Sequence, residues 1–527
     1  MSRPLCSVFF VITLLYGFMR LSRFFSLRFI ICILCVESIC IQPCASQDKN
    51  TDSTVSKNLR QLRADLHALL NDTALTSAHV GMMIMPAKSK EILFAQNELK
   101  GFIPASNMKL YSTAMALEYL GKDFTYTTNV YLDGIIKADG EYIGNIIVRG
   151  VGDPTFSAYF HDRPMKIMET WAYVLDSLGI RSIRGNIIGD DSYFDQQLYG
   201  DGWQYDDFPY YYSAPVSTLM MNDNTVDAEI IPAQSIGTRP TIQLLPLQKY
   251  PGFTNSITTD TITSINYSRE PYSPVIDFQG TITIARTDSM QKALTRTVTT
   301  TVDNPTIFFL QCFRSAIEAR AIKVRGGVFG IKEWGEKVRY ADTRLVCNYT
   351  SPPLSEIVRV INIYSHNVGA EALFKTVAKE RQGTGSYEQG RIAMQEILQS
   401  CGAISSGTNI ADGSGLSRSN LLTPKGMVGL LHYMSASPNK DIFINSLPQP
   451  GEPGTLRSRM RKTTAVGNVR AKTGTLSGVS SLSGYATTGD KEQFVFAMFF
   501  NNYTTPASII RTIQDRICMR LSTFSRK

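Results

Sequence analysis

The sequence contains few of the residues that build metal or redox sites. It has only five histidines among 527 residues, and none of them stand at a metal-ligand spacing. Five of the nine cysteines fall in the first 46 residues, and the other four form no Cys-x-x-Cys pair (Cys312, Cys347, Cys401 and Cys518). We therefore expect no metal and no cofactor. The four later cysteines are compatible with up to two disulfides or with buried thiols.

Dense positive charge is also missing. The formal net charge is +8, and the first 46 residues contribute +3 of it through four arginines and one glutamate, which leaves +5 for the rest. No run of Lys and Arg with interleaved aromatics occurs, so we expect no nucleic-acid binding. An apolar content of 43% with 19% charged residues indicates a globular protein with a sizeable core and several structural units.

The N-terminus has the pattern of an export signal. A basic segment (20–28) precedes an apolar stretch (29–41), and small residues then lead into a polar region. An earlier apolar run leaves Met19 open as the true start. Uncleaved membrane anchors are the alternative, but the second run is short for a spanning helix and contains Glu37. We predict a cleaved signal peptide over 1–46 and a periplasmic protein.

Helical and strand patterns predict a mixed α/β fold. Three adjacent strands are predicted late in the chain (469–476, 480–486 and 494–501), with helices at 55–70 and 506–521 near the two ends of the exported part. Residues 227–323 are rich in alternating Thr, Ile and Val, which predicts an all-β unit. A core built from discontinuous pieces, with the middle of the chain inserted, accounts for this order.

Ser106 and Lys109 form the first of three motifs. Residues i and i+3 share a helix face, and the positive N-terminal end of the predicted helix favours negative charge on Ser106. A serine hydroxyl needs a neighbouring base. Lys109 can be that base if burial and nearby positive charge, which Lys472 can supply, lower its pKa. Alone the motif is weak, because Ser-x-x-Lys recurs at Ser46, Ser289 and Ser437.

Ser365 and Asn367 form the second motif, between predicted helical segments. Ser365 can relay a proton to the leaving nitrogen, and Asn367 can hold both the substrate amide and Lys109. His366 lies between them and invites a triad interpretation. We interpret it instead as an exposed loop histidine, because its side chain should point away from those of its neighbours.

The third motif is Lys-Thr-Gly-Thr at 472–475, on a predicted strand. Lys472 and Thr473 can bind a substrate carboxylate, and Gly474 can let the substrate backbone approach closely. The N–H of Thr475 can join that of Ser106 in an oxyanion hole. The three motifs in this order are typical of enzymes that attack β-lactams and peptidoglycan stem peptides.

Further segments extend the match. The chain resembles the D-alanyl-D-alanine carboxypeptidase/endopeptidase family of low-molecular-mass, class C penicillin-binding proteins over nearly all of 50–524. The similar stretches include 104–109, 150–154, 189–195, 412–418 and 472–478. The long gap between Ser106 and Ser365 matches two additional domains that this family carries there.

The resemblance implies a fold and a domain order. A β-lactamase/transpeptidase-like core with an antiparallel sheet flanked by helices is expected from 50–125 and 350–527. Two smaller inserted domains, one of them β-rich, are expected within 126–349. We divide this region into 151–224 and a β-rich part made of 126–150 plus 225–349.

The resemblance also implies residue roles. Ser106 corresponds to the nucleophile and Lys109 to the base, while the residues of the other two motifs complete the catalytic and binding set (Ser365, Asn367, Lys472 and Thr473). Asp190 and Arg418 match positions that contact the charged end of a diaminopimelate side chain in some members; a surface salt bridge is the alternative. The family often has aspartate where this chain has His366, from which we expect tuned rather than lost activity.

The implied function is that of an exported serine D-Ala-D-Ala carboxypeptidase, D,D-endopeptidase or both. It would act on peptidoglycan stem peptides through an acyl-enzyme on Ser106, and β-lactams would inhibit it covalently. The balance of the two activities and the oligomeric state stay open.

Three rival functions are weaker. A β-lactamase needs a dedicated deacylation base, and no Glu-x-x-Leu-Asn-like segment occurs between Asn367 and Lys472. A non-catalytic peptidoglycan-binding scaffold would not need Ser106, Lys109 and Lys472 intact. A lipase-type esterase would carry Gly-x-Ser-x-Gly, which is absent.

Overall fold

The computed structural model of the chain describes residues 57–284, 295–404 and 406–527. The predicted signal peptide at 1–46 lies outside these residues, as does Met19. Within the described ranges, no helix is long and apolar enough to cross a membrane. The helices are α1 (Lys57–Leu70), α2 (Met108–Leu120), α3 (Lys166–Ser177), α4 (Pro305–Glu318), α5 (Ile331–Trp334), α6 (Leu354–Tyr364), α7 (Asn367–Gln382), α8 (Tyr387–Ser400), α9 (Pro424–Ala436), α10 (Lys440–Asn445) and α11 (Ala507–Thr523).

In the part of the chain that the structure describes, the strands form five separate sheets. They are β1 (His79–Pro86), β2 (Phe94–Gln96), β3 (Thr127–Leu132), β4 (Ile135–Ile136), β5 (Glu141–Ile143), β6 (Ile146–Arg149), β7 (Ser182–Arg184), β8 (Ile187–Asp190), β9 (Thr225–Ile231), β10 (Thr241–Leu245), β11 (Gly252–Asp260), β12 (Ser264–Ser268), β13 (Val275–Thr283), β14 (Arg296–Thr301), β15 (Lys323–Val324), β16 (Val328–Gly330), β17 (Arg344–Thr350), β18 (Val469–Leu476), β19 (Val479–Thr487) and β20 (Gln493–Asn501).

One antiparallel sheet, called the central sheet below, joins the two ends of the described chain. Its order is β18-β19-β20-β1-β2, and β20 pairs with β1 from Asn501↔His79 to Phe494↔Pro86. Residues along β19 are buried from Val479 to Ala486, and α9 and α11 both contact this strand. Because successive side chains point to opposite faces, the continuous burial means that both faces are covered. The three predicted late strands are confirmed.

Helix α2 occupies the centre of the core. Its first ten residues are all buried, Lys109 included, and α6, α7 and α8 contact it. Such a helix is enclosed on every side instead of presenting one apolar stripe. A lysine at its second position is therefore removed from water, which matters for its chemistry.

The other four sheets of the described residues are built from strands between residues 127 and 350. They have the orders β10-β9-β14, β11-β13-β12, β15-β7-β5-β4 and β16-β8-β6-β3-β17. The mixed α/β architecture with an inserted β-rich region is thus as predicted. The domain limits stay a prediction, and the internal division at residue 150 does not coincide with a division between sheets, because β6 pairs with β8.

The prediction that 227–323 is entirely β-structure is wrong at one place. Helix α4 lies there, and the side chain of Asn304 caps it by accepting a hydrogen bond from the N–H of Ile307 at 3.1 Å. Pro305 stands at the first turn, where its fixed φ suits a helix. The buried face of α4 (Phe308, Phe309, Cys312, Phe313, Ala316 and Ile317) has helical spacing. The Thr-rich sequence on both sides of α4 made this spacing hard to recognise.

The cysteines that the structure describes are not paired. Cys312 and Cys518 are buried thiols, and Cys347 and Cys401 are half-buried ones. Of the two alternatives left by the sequence, the structure has the free thiols.

Candidate active site

Ser106 lies in a 3₁₀ turn directly before α2. Two strands of the central sheet hold this turn. The hydroxyl of Ser481, on β19, donates a hydrogen bond to the Pro104 carbonyl at 2.6 Å, and the Asn107 amide donates one to the Lys472 carbonyl at 2.9 Å. The nucleophile is therefore positioned by the sheet as well as by its own helix.

The amine of Lys109 is the centre of the site. Its Nζ lies 3.0 Å from Ser106 Oγ, 2.6 Å from Asn367 Oδ1 and 2.7 Å from the Ser414 carbonyl oxygen. The side chains of two predicted motifs thus meet on one nitrogen. As a free amine, Lys109 can donate to the amide and carbonyl oxygens and accept the Ser106 hydroxyl proton.

Burial favours the neutral form of this amine near neutral pH. Desolvation lowers the pKa of Lys109 to about 7, while the nearby charges of Glu371 and Asp412 oppose this shift. Burial lowers this pKa, and the positive charge of Lys472, which the sequence suggests as a cause, is not among the causes of the shift. The charge effect runs from Lys109 to Lys472 instead, because burial and then Lys109 lower the pKa of Lys472.

Lys472 brings the third motif to the second one. Its Nζ donates to Ser365 Oγ at 2.8 Å and to the Thr473 carbonyl at 2.9 Å. Ser365 ends α6 with a left-handed backbone (φ +61°), a conformation that is uncommon for a residue with a side chain. The turn aims its hydroxyl at the Lys472 amine, so all three motifs converge on one place.

The interpretation of His366 as an exposed loop residue is wrong. It is only 9% exposed and forms the N-cap of α7, where its Nδ1 accepts the N–H of Gly369 at 3.2 Å. Its Nε2 lies 2.9 Å from a carboxylate oxygen of Asp223 in the inserted region. A helix start needs such an acceptor, and in this chain the histidine supplies it.

Both the oxygen and the nitrogen of the Asn367 side-chain amide form hydrogen bonds. Its oxygen accepts from Lys109, and its Nδ2 donates to the Tyr212 carbonyl at 2.5 Å. The expected role in holding Lys109 is consistent with this geometry. The N–H that was expected to bind a substrate amide points to the inserted region in this structure.

The strand that carries Lys472 forms one edge of the central sheet, with Thr473 half-buried and Thr475 exposed. A Cβ on Gly474 would overlap Ser481 Oγ and would lie 2.7 Å from the Pro104 oxygen and 3.0 Å from the Ser106 nitrogen. The absence of a side chain at Gly474 therefore makes room for Ser481 and for the turn of the nucleophile, and the close approach of a substrate backbone stays a prediction.

Arg418 and Asp190 differ in how they relate to this cluster. Arg418 donates to the carbonyl of Ser477 at 3.1 Å, just beyond the end of β18. Asp190 accepts hydrogen bonds from Ser192 and Tyr340 at the end of β8. Among the described contacts it forms no ion pair and no hydrogen bond with another predicted site residue.

Sequence reasoning missed two residues that shape the site. The Ser414 carbonyl accepts from Lys109, and Glu371 accepts the N–H groups of Gly413 and Ser414 at 2.9 and 2.7 Å. A signal for Glu371 was present. It stands among apolar residues of α7, four residues after Asn367, so the two share a helix face.

A comparison with known families identifies the chain. A model of the D-Ala-D-Ala carboxypeptidase 3 (S13) family matches residues 62–523. The chain belongs to this family. As an S13 member it is a serine-type D-Ala-D-Ala carboxypeptidase, as the sequence predicted.

Individual relatives agree with this assignment. A D-alanyl-D-alanine carboxypeptidase of Actinomadura sp. is 34% identical over 480 residues, which covers 89% of this chain and 85% of that protein. The fold of this S13 enzyme is similar to that of penicillin-binding protein 4 (dacB) from Haemophilus influenzae, with a TM-score of 0.75 at 23% identity over 87% of this chain and 100% of the other. The same protein in complex with a novel β-lactam matches with a TM-score of 0.69 at 22% identity, over 88% of this chain and 99% of the other.

Proposed function

We propose that this S13 enzyme cleaves peptides ending in D-Ala-D-Ala through an acyl-enzyme on Ser106. The observation that carries the proposal is the 3.0 Å contact between the buried Lys109 amine and the Ser106 hydroxyl. Lys109 takes the hydroxyl proton as Ser106 attacks the carbonyl of the penultimate D-Ala. The terminal D-Ala leaves, and water then hydrolyses the ester on Ser106.

The edge of β18 supplies the binding surface in this proposal. The exposed strand edge can pair with the substrate backbone, and Lys472 and Thr473 can bind its terminal carboxylate. The N–H groups of Ser106 and Thr475 would hold the oxyanion. The close approach of Gly474 to the Ser106 nitrogen supports this, because Thr475 follows on the same strand.

The substrate class and the inhibitors come from the relatives. We infer that peptidoglycan stem peptides are the substrate, with crosslinks to diaminopimelate as a second target through endopeptidase action. A β-lactam carries a strained amide that can acylate Ser106 in the same way. The resulting ester on Ser106 should be hydrolysed slowly. The complex of the H. influenzae protein with a β-lactam supports this inference.

We also propose that the enzyme works in the periplasm, where its substrate is. The basic and apolar pattern of residues 1–46 supports export with cleavage of this segment. Asp190 and Arg418 stay proposed contacts for the charged end of a diaminopimelate side chain. Arg418 has the better support, because it lies beside the end of β18.

Release of D-Ala from an N-acylated tripeptide ending in D-Ala-D-Ala tests the proposal. The wild type should release it, and Ser106→Ala should abolish release while the protein stays folded. Ser437→Ala is a matched control, because Ser437 also precedes a lysine by three residues but donates to Glu118 instead. Equal release of D-Ala by the wild type and Ser106→Ala would overturn the assignment. Cleavage of a crosslinked muropeptide, used as a second substrate, measures the endopeptidase activity.

A further inference from the structure

Glu371 is a carboxylate enclosed in the core beside the proposed base. Its side chain is fully buried, and each of its oxygens accepts one backbone N–H, from Gly413 at 2.9 Å and from Ser414 at 2.7 Å. Burial and then the charge of Asp412 raise the pKa of Glu371 to about 8, while the hydrogen bonds from Ser414 and Gly413 oppose this shift. Both oxygens are bonded to backbone N–H groups, as the burial of a polar group requires, so the role of Glu371 is to hold that backbone.

The position of Ser414 shows what that role is. Its carbonyl accepts from Lys109 at 2.7 Å, and Asn367 accepts from the same nitrogen at 2.6 Å. A neutral amine has two hydrogens and one lone pair. When these two acceptors take both hydrogens, the lone pair points at the third neighbour, the Ser106 hydroxyl 3.0 Å away. The aim of the lone pair therefore depends on where the Ser414 carbonyl is held.

One helix holds both acceptors. Asn367 and Glu371 lie four residues apart on α7, hence on the same face. Asn367 contacts Lys109 directly, and Glu371 accepts the N–H groups of the two peptide units that precede the Ser414 carbonyl. The peptide unit that carries this carbonyl donates its own N–H, that of Gly415, to Asp412 at 2.7 Å. Asp412 also accepts from the indole of Trp203 at 2.9 Å.

We propose that Glu371 is a positioning residue of the acylation step, which holds the backbone leading into Ser414, fixes the Ser414 carbonyl together with Asp412, and thereby aims the Lys109 lone pair at Ser106. This inference rests on the proposed function, since it assigns Glu371 to the proton transfer from Ser106. Glu371 touches neither substrate nor Ser106. The charged groups around the amine are Glu371, Asp412 and Lys472.

The test measures the rate of acylation by a fluorescent penicillin across pH in Glu371→Gln. The variant keeps the size of the side chain but presents an NH₂ group to one of the two N–H donors, so the Ser414 peptide loses its position. We expect the maximal rate to fall about tenfold or more, because a misaligned base forfeits part of its 10²–10⁴-fold effect. We also expect the pH midpoint to move down, since the lost negative charge no longer supports the protonated amine.

Glu118→Gln is the matched control. Glu118 lies on α2 as Lys109 does, and it accepts from Tyr433, Ser437 and Asn439 away from the site. We expect it to lower stability without changing the rate or the midpoint. A folded Glu371→Gln with the rate and midpoint of the wild type would overturn the proposal, whereas a wild type that is not labelled at all would overturn the proposed function instead.

Glu371→Asp keeps the inference testable if Glu371→Gln does not fold. Aspartate retains the charge but is one methylene too short to reach both N–H groups. The expected result is a reduced rate with the midpoint of the wild type. An unchanged rate in folded Glu371→Asp would contradict the need for a fixed Ser414 carbonyl.

Discussion

The amine of Lys109 meets three oxygen atoms inside the core, and its chemistry follows from that enclosure. An exposed lysine would be protonated at neutral pH and unable to accept a proton. Burial disfavours the ammonium form, and the neighbouring carboxylates of Glu371 and Asp412 keep the shift moderate. The result is an amine that titrates in the range where the enzyme would work.

Acylation should therefore depend on pH in a definite direction. Below pH about 7 Lys109 is an ammonium ion without a lone pair, and above it the amine is free, because burial lowers its pKa to about 7. The acylation rate with penicillin should rise with pH through this midpoint and then level off. Stopped-flow measurement of acyl-enzyme formation checks this, and a rate that falls as pH rises through 7 would contradict it.

Gly474 gives a second prediction at the level of one residue. In Gly474→Ala the new methyl would overlap Ser481 Oγ, whose hydroxyl holds the Pro104 carbonyl, and would lie 2.7 Å from the Pro104 oxygen and 3.0 Å from the Ser106 nitrogen. The turn must move, at a cost of about 1–3 kcal/mol for overpacking, and Ser106 moves with it. We expect slower acylation than in Gly252→Ala, a strand glycine whose added methyl would meet nothing closer than 3.7 Å. Equal rates in the two variants would show that the close approach is unimportant.

At the scale of elements, α7 begins where the inserted region touches the catalytic motif. The N-cap of this helix is His366, which contacts Asp223 on its other nitrogen. The same side chain therefore satisfies a helix end and ties it to the inserted region. Ser365 and Asn367, on either side of it, are positioned by the same contacts.

Two substitutions of His366 separate its capping contact with Gly369 from its contact with Asp223. His366→Ala loses both and should lower the free energy of unfolding by about 1 kcal/mol or more. His366→Asn keeps a good capping side chain but cannot reach Asp223 in the same way, so it should recover part of the loss. Urea denaturation of the three proteins measures this. Wild-type stability in His366→Ala would mean that the cap contributes nothing.

Individual elements show what the sequence can and cannot predict. The three late strands were predicted, and β20 is a nearly continuous apolar run because it is buried along its length. Asn304 and Pro305 are typical of a helix start. Helix α4 was nevertheless not predicted, because Thr-rich strand patterns surround it in the sequence. His366 was misjudged because its partner, Asp223, lies 143 residues away in the chain, and a single sequence does not report such a contact.

At the scale of the whole molecule, the inserted region is joined to the catalytic core by half-buried polar contacts, such as those of Asn367 with Tyr212 and of Lys375 with Asp195. The motif order predicted that three distant segments would meet, and the structure brings them together. The spacing of Glu371 from Asn367 on α7 predicts that the two share a helix face, but the contact of Glu371 with the backbone at Ser414 could not be predicted, because backbone groups have no signature in sequence. The contribution of the Ser414 carbonyl depends on tertiary geometry alone.

The contact of Lys375 with Asp195 gives a prediction at this scale. Lys375 is fully buried and donates to Asp195 at 2.6 Å. Asp195→Ala removes the partner of a buried cation and should cost about 3 kcal/mol of unfolding free energy. Asp201→Ala is the control, because the pair of Asp201 with Arg391 is more exposed and should contribute less than about 1 kcal/mol. Equal losses in urea denaturation would contradict the account.

The central claim is that Ser106 forms the acyl-enzyme. Mass spectrometry of the protein after incubation with benzylpenicillin tests it most directly, with peptide mapping to locate the adduct. The account predicts one covalent adduct on the peptide that contains Ser106, and none in Ser106→Ala. An adduct on another residue, or the same adduct in Ser106→Ala, would contradict it.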